Sequence, residues 1–276
     1  MNHPAHSQEA AIKPWATERK DNWRTEPTLV AIGFTLFIVY ATYRAFSGHY
    51  YETDNYLSPF YSPKLMFDWW KWSPAILILW MPAGFRATCY YYRKAYYRAY
   101  FQDPPGCGVG HLGGHSYTGE TKFPFLMQNL HRYMLYLAIL VIGFLWYDTI
   151  NSFFQGADFW KPGAQFRVGV GSIIYLVNVI LLSAYTFGCH AFRHLVGGRY
   201  DCFTCPAGGG KSEKTKVSYK IWHFVTHLNE HHMRWAWLSL FSVMAADLYT
   251  SYVVSNHFND TVMGPNLRFE QSEHFR

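Results

Sequence analysis

Cys89, His131, Cys189 and His232 each lie close to one end of a different long apolar stretch. Counted inward at about 1.5 Å per residue along a helix, they reach a similar depth, with His190 and His194 beside them as reserves. Ionisable and soft polar groups are costly inside a bilayer, so each is a functional candidate. A single cysteine there has an ordinary use as a small packing residue, and a single histidine serves equally well as an interfacial polar group. Their coincidence on four separate segments points instead to a metal or redox centre.

Two thiols and two imidazoles allow several chemistries. With zinc they make a closed tetrahedral site. With iron and sulfide they make a [2Fe–2S] cluster whose second iron carries two histidines, which raises its potential above that of an all-cysteine cluster. Histidines alone can hold a haem b between helices. His190 and His194 are spaced i, i+4 and share a helix face. His223, His227 and His231 form a similar stripe, read as a solvated or partner-facing surface. A rival site lies in the loops, where the C-x-x-C of Cys202 and Cys205 is half a zinc site that Cys107, His111 and His115 would complete. The usual Rieske loop signature, C-x-H followed by C-x-x-H, is absent from the chain.

The elements that must position these groups are membrane spans. Half of the 276 residues are hydrophobic, a fifth are aromatic and only 15% are charged, well below the roughly 25% usual for soluble domains. A mean hydropathy near zero averages apolar blocks with very polar connections. The expected fold is all-α: a polytopic bundle of five transmembrane helices at about 28–48, 74–101, 127–150, 167–196 and 217–255, each near the 20 residues a span needs. Ser73-Pro74 opens the second helix, Pro82 interrupts it, and Gly197-Gly198 stops the fourth.

Charge sets the orientation. Arg19, Lys20, Arg24, Arg93, Lys94, Arg98, Arg199, Lys211, Lys214 and Lys216 fall on one side, against Lys64, Lys71, Lys161, Arg167 and the tail arginines on the other. The positive-inside rule then places the N-terminus in the cytoplasm. The expected organisation is a cytoplasmic segment over 1–27, the anchor domain over 28–255 and an extracytoplasmic tail over 256–276. No cleavable signal peptide is visible. The net charge of +6 sits at span ends and is explained by bilayer orientation, so nucleic acid is not an expected partner. The glycine-rich loops at 104–120 and 205–214 lack phosphate-loop spacing, no internal repeat stands out, and an odd count of five cysteines makes no disulfide framework.

The stretch "FRATCYYYRKAYYRAYF", residues 85–101, combines basic and aromatic residues at the inner boundary of the second span. Most of its tyrosines are read as interfacial anchors. A quinone headgroup, flat with two carbonyl acceptors, needs donors and aromatic walls, which Arg86, Tyr90, Tyr91, Arg93, Arg132 and Trp235 offer.

With "GFRATCYYYRKAYYRAYF", "YTGETKFPFLMQNLHRY", "CHAFRHLVGGR" and "LNEHHMRWAW", the chain resembles the membrane-anchor subunit of succinate dehydrogenase/fumarate reductase, respiratory complex II. It is most similar to the actinobacterial, haem-free type over residues 28–255. That resemblance implies a bacterial plasma-membrane protein that docks a flavoprotein subunit and an iron–sulfur subunit, contacts lipid and passes electrons to menaquinone or ubiquinone. It is compatible with a higher oligomer of the complex. It also implies a Rieske-type [2Fe–2S] cluster with Cys89, His131, Cys189 and His232 as ligands. The alternatives are haem b in the same anchor, or a zinc-binding scaffold or transporter. Cysteines at two of the four positions count against ordinary dihaem ligation.

Overall fold

A computed structural model of the chain describes residues 13–112, 121, 123, 125–198, 213–257 and 260–263. The elements in order are α1 (Thr25–Ser47), α2 (Pro74–Ala87), α3 (Tyr90–Ala95), a π-helix (Tyr96–Phe101), a 3-10 helix (Phe125–Leu130), α4 (His131–Asn151), β1 (Phe154–Gln155), β2 (Gln165–Phe166), β3 (Val168–Gly169), α5 (Val170–Phe187), α6 (His190–Gly197), α7 (Glu213–Glu230), α8 (His232–Asn256) and β4 (Thr261–Met263). The fold is mainly helical, as expected. To this it adds two antiparallel ribbons, β1 with β2 and β3 with β4, which the all-α reading did not include.

Four helices are long and apolar enough to cross a membrane: Thr25–Ser47, Leu126–Asn151, Val170–Phe187 and His232–Asn256. The remaining expected span, the second, is shorter. Its apolar part, α2, has 14 residues, about 21 Å of helix against a hydrocarbon core of about 30 Å. Pro82 lies inside it. In α1, Glu26 in the first turn and Arg44 in the last suit the helix dipole.

The second, fourth and fifth expected helices are not continuous. The second breaks at Thr88-Cys89, the fourth at Gly188-Cys189 and the fifth at His231. At Gly188 the close packing is evident: an added Cβ would stand 2.6 Å from the Ala184 carbonyl oxygen and 3.2 Å from the Leu228 backbone. These breaks fall at the residues singled out for chemistry.

The chain divides into two compact units, one of Met1–Val39 with Arg86–Leu130, the other of Tyr40–Phe85 with His131–Arg276. In the first unit, Phe34 of α1 packs on Tyr92 and Tyr96 at ring distances of 5.1 and 5.7 Å. Tyr100 donates to the Ala31 carbonyl and shares a hydrogen bond with Thr35. Tyr92, Tyr96 and Tyr100 thus pack this stretch against α1.

In the second unit, α5 packs most extensively on α8 and then on α4, and α6 lies against α7. Val141, Ile142, Leu145 and Val179 form one buried cluster, and Tyr56, Tyr175, Ala246 and Val253 another. Two buried ion pairs brace this unit. Arg44 grips Asp247 through two nitrogens at 2.7 and 3.0 Å, and Tyr40 and Ser58 hydroxyls donate to the same carboxylate. Arg167 pairs with Asp260 at 2.6 Å, where the carboxylate also accepts from Tyr56, Tyr249 and the Gly171 N–H. A Cβ on Gly171 would come 2.5 Å from the Tyr56 ring, so this approach requires glycine.

Burial alone would raise the Asp260 pKa, but the Gly171 N–H, the Tyr56 hydroxyl and the Arg167 guanidinium outweigh it and hold the carboxyl below its usual range. A depressed folded pKa contributes stability above the ordinary carboxylate range, lost as pH falls through the lowered value. Asp260→Asn leaves Arg167 buried without its counter-charge, a change that costs about 3–5 kcal/mol. Thermal unfolding in detergent should show a lower Tm for this variant at neutral pH. Over the acid window the wild type should lose more stability than the variant; equal losses would contradict the assignment.

Candidate metal centre

Each of the four first-choice residues stands at the start of a helix. Cys89 is the N-cap of α3 and Cys189 the N-cap of α6, with nearly equal backbone angles, φ −67° and ψ 133° against φ −69° and ψ 142°. His131 is the first residue of α4 and His232 the first of α8. The two cysteine turns match in detail. The N–H of Cys89 donates to the Arg86 carbonyl and that of Cys189 to Thr186; four residues on, Arg93 and Arg193 donate to the cysteine carbonyls at 2.9 Å. In sequence both read Cys, two residues, an aromatic, then Arg, a repeat that signals the shared turn.

Within the second unit, His131 Nε2 lies 2.9 Å from Cys189 Sγ, and the sulfur also accepts the Ala191 N–H at 3.3 Å. Phe85 stacks on the His131 imidazole at 4.8 Å and 8°. Tyr185 stacks on His232 at 4.9 Å and 16°, and Phe85 meets Tyr185 edge-on at 5.5 Å. The two imidazoles are thus joined through a pair of aromatic rings. Phe85, Tyr185 and Cys189 are all buried, and both histidines are half-buried. Cys89, in the first unit, is buried as well.

The reserves behave differently. His190 and His194 are exposed, and His194 Nδ1 lies 3.1 Å from the Arg132 guanidinium. The His227 and His231 rings lie 5.5 Å apart, tilted at 50°, and His227 is exposed. Of the loop-borne rival, His115, Cys202 and Cys205 lie outside the described residues. Cys107 Sγ sits 3.6 Å from Arg98 Nη2, and His111 Nδ1 is 2.5 Å from Asp103 Oδ1. Among the described residues, no three His, Cys, Asp or Glu side chains are gathered closely enough to hold one metal ion.

The residues expected to receive a quinone are dispersed. Tyr90 and Arg93 line a cavity of about 330 Å³ in the first unit, together with Tyr97, Arg98, Asp103 and His111. Tyr91 faces a much smaller one of about 20 Å³ beside Glu26 and Arg98. Arg86 is buried and donates to the Tyr92 hydroxyl at 2.7 Å. The Trp235 indole donates to the Leu228 carbonyl at 3.2 Å.

The family model for the actinobacterial succinate dehydrogenase subunit SdhC matches residues 25–256. The chain belongs to that family. It is also similar to a solved chain of the Mycobacterium smegmatis Sdh1 complex in its apo form, at 37% sequence identity and a TM-score of 0.77, covering 93% of this chain and 97% of that one. No curated protein matches it. The chain is therefore an SdhC-type membrane subunit of a succinate dehydrogenase, associated with the complex's other subunits and not itself the site of succinate chemistry.

The sequence reading missed the side chains that hold the SdhC-type chain's helix breaks. Gln128 donates to the Ala87 carbonyl at 3.2 Å and Asn229 to that of Gly188 at 2.8 Å. It also passed over Arg44 and Asp247, although opposite charges inside apolar runs are themselves a signal. If Phe85 orients both rings, Phe85→Ala should destabilise the subunit by about 3–5 kcal/mol, with a smaller loss for Phe85→Leu. Tm values of the purified complex check this; an unchanged Tm for the alanine variant would show that the stack carries no weight.

Proposed function

We propose that this SdhC-type anchor carries a Rieske-type [2Fe–2S] centre on Cys89, His131, Cys189 and His232, and passes electrons from a docked iron–sulfur subunit to quinone. The observation that carries this reading is the approach of His131 Nε2 to Cys189 Sγ, 2.9 Å apart. A mononuclear zinc site needs three or four side chains converging on one atom, whereas a Rieske-type cluster spreads its ligands over two irons, two cysteines on one and two histidines on the other, so it would span a histidine and a cysteine placed side by side. The donor set suits that cluster: two buried thiols and two imidazoles whose rings are held by stacking. Two aromatic rings link the imidazoles, where a bis-histidine haem would need an open slot. Once bound, the cluster supplies one-electron transfer at a potential raised by its imidazole ligands.

The chain's own residues do the rest. Phe85 and Tyr185 fix the imidazole planes and keep water from them. The helix-start position turns the Cys189 sulfur towards an N–H donor. The 330 Å³ cavity takes the quinone headgroup, of menaquinone or ubiquinone, between the Tyr90 and Tyr97 walls, with Arg93 as a donor to a carbonyl. Its size falls in the range of small-molecule sites. His111, held at Nδ1 by Asp103, offers a proton at the wall of the same cavity, while Arg86, Tyr91, Arg132 and Trp235 position the surrounding backbone and rings. In the membrane the chain crosses five times, with residues 74–101 making the second crossing and the N-terminus in the cytoplasm. The iron–sulfur subunit, carrying the flavoprotein, docks on that side.

The purified complex should contain iron and acid-labile sulfide attributable to this subunit and show no strong Soret band. The double variant His131→Ala, His232→Ala should lose quinone reduction while oxidising succinate with a soluble dye. Retained quinone reduction, a Soret band, or zinc without iron would each overturn the assignment.

A further inference from the structure

We infer that the first unit holds a specific anionic glycerophospholipid in a second cavity, of about 390 Å³, between the start of α1 and the loop after the π-helix. This site is separate in its lining from the cavity given to quinone, and it needs only the membrane setting of the family.

A strap over residues 13–24 builds the cavity. Trp15 donates its backbone N–H to the Gly110 carbonyl at 3.0 Å, and the Gly110 N–H returns to Ala16 at 2.8 Å. Thr17 bridges to Val109, and the Arg19 guanidinium donates to the Cys107 carbonyl at 2.9 Å. Trp15 and Gln102 are both in the left-handed region, at φ 58° and 52°, and the Trp15 indole donates to the Gln102 side-chain oxygen at 2.7 Å. Two non-glycine residues held in that conformation and tied to each other fix the shape of the wall.

The lining has the chemistry of a phospholipid's two ends. At one end are Trp15, Trp23 and Arg24, whose guanidinium lies 5.2 Å over the Trp23 ring, with the exposed Thr28 one turn on. Indole and guanidinium side chains are suited to the headgroup level, where one end is apolar and the other wet. At the other end are Ala31 and Ile32. Ile32 is 53% exposed and continues into the exposed Leu29, Leu36 and Val39, the face that a spanning helix turns to lipid. The phosphodiester therefore sits on Arg24 and the Thr28 hydroxyl, and an acyl chain runs along Ile32 and Leu36. A quinone ring would use the aromatic walls but leave the Arg24 cation without a counter-charge.

The test uses the intact complex, stripped of lipid in detergent, with phosphatidylglycerol or phosphatidylcholine added back. Phosphatidylglycerol should raise the Tm of the wild type, phosphatidylcholine should do so less, Arg24→Gln should abolish the shift and Arg24→Lys should restore part of it. Before stripping, extraction of the Arg24→Gln complex should recover less bound phospholipid than the wild type, at equal succinate oxidation with a soluble dye. No shift with phosphatidylglycerol, an equal shift in Arg24→Gln, or loss of bound quinone in place of phospholipid would overturn the proposal.

Discussion

A helix that ends in packed protein leaves N–H and C=O groups without intrahelical partners, and each such group buried alone costs several kcal/mol. The rest of this structure depends on how that constraint is met. Three expected spans are interrupted, at Thr88-Cys89, Gly188-Cys189 and His231. At each interruption a side chain donates to a carbonyl beside the break: Gln128 to that of Ala87, Asn229 to that of Gly188 and Trp235 to that of Leu228, which the His231 N–H also reaches. At Cys189 the sulfur itself accepts an N–H of the new helix. The breaks are therefore built features, held by side chains that donate across them.

Elsewhere in the second unit, the cost of irregular backbone is met by buried charge. Asp247 gathers Arg44, Tyr40 and Ser58, so α1, the loop after it and α8 meet on one carboxylate. Asp260 gathers Arg167, Tyr56, Tyr249 and the Gly171 N–H, which fastens the ribbon of β3 and β4 to the start of α5. A buried ion pair is weak evidence of net stability, because desolvation can offset the attraction. Its specific effect is on geometry. Once both partners are buried, any arrangement that separates them leaves a bare charge in a low dielectric.

Much of the outline was legible in the sequence. Apolar stretches of spanning length gave the helices, because hydropathy over about 20 residues is a strong signal. The cysteines and histidines were conspicuous because their types are unusual at such places. The breaks were not legible by the same means. "GFRATCYYYRKA" and "YTFGCHAFRHL" carry apolar and aromatic residues on both sides of the interruption, with basic residues mixed in, so a hydropathy window does not resolve it. The local cue was weak: a threonine before one cysteine, a glycine before the other, and the shared Cys-to-Arg spacing. Gln128 and Asn229 look like ordinary boundary residues until the carbonyls they serve are known. The strap over residues 13–24 was hidden for another reason. It is polar and short, and its hydrogen bonds run to residues more than eighty positions away.

Placing cysteine and histidine at helix starts, and not within continuous helices, has a physical consequence. In mid-helix a side chain leans over the preceding turn and is confined to a few rotamers by it. At an N-cap the backbone is extended, as it is at Cys89 and Cys189, and the side chain is directed towards the N–H groups of the turn that follows. A sulfur there acquires a donor that compensates negative charge, as Ala191 does for Cys189. The imidazoles gain rigidity by another route, through flat stacking on Phe85 and Tyr185. Interrupted helices and aromatic stacking thus hold these side chains in two ways, the first acting through the backbone and the second through side-chain packing.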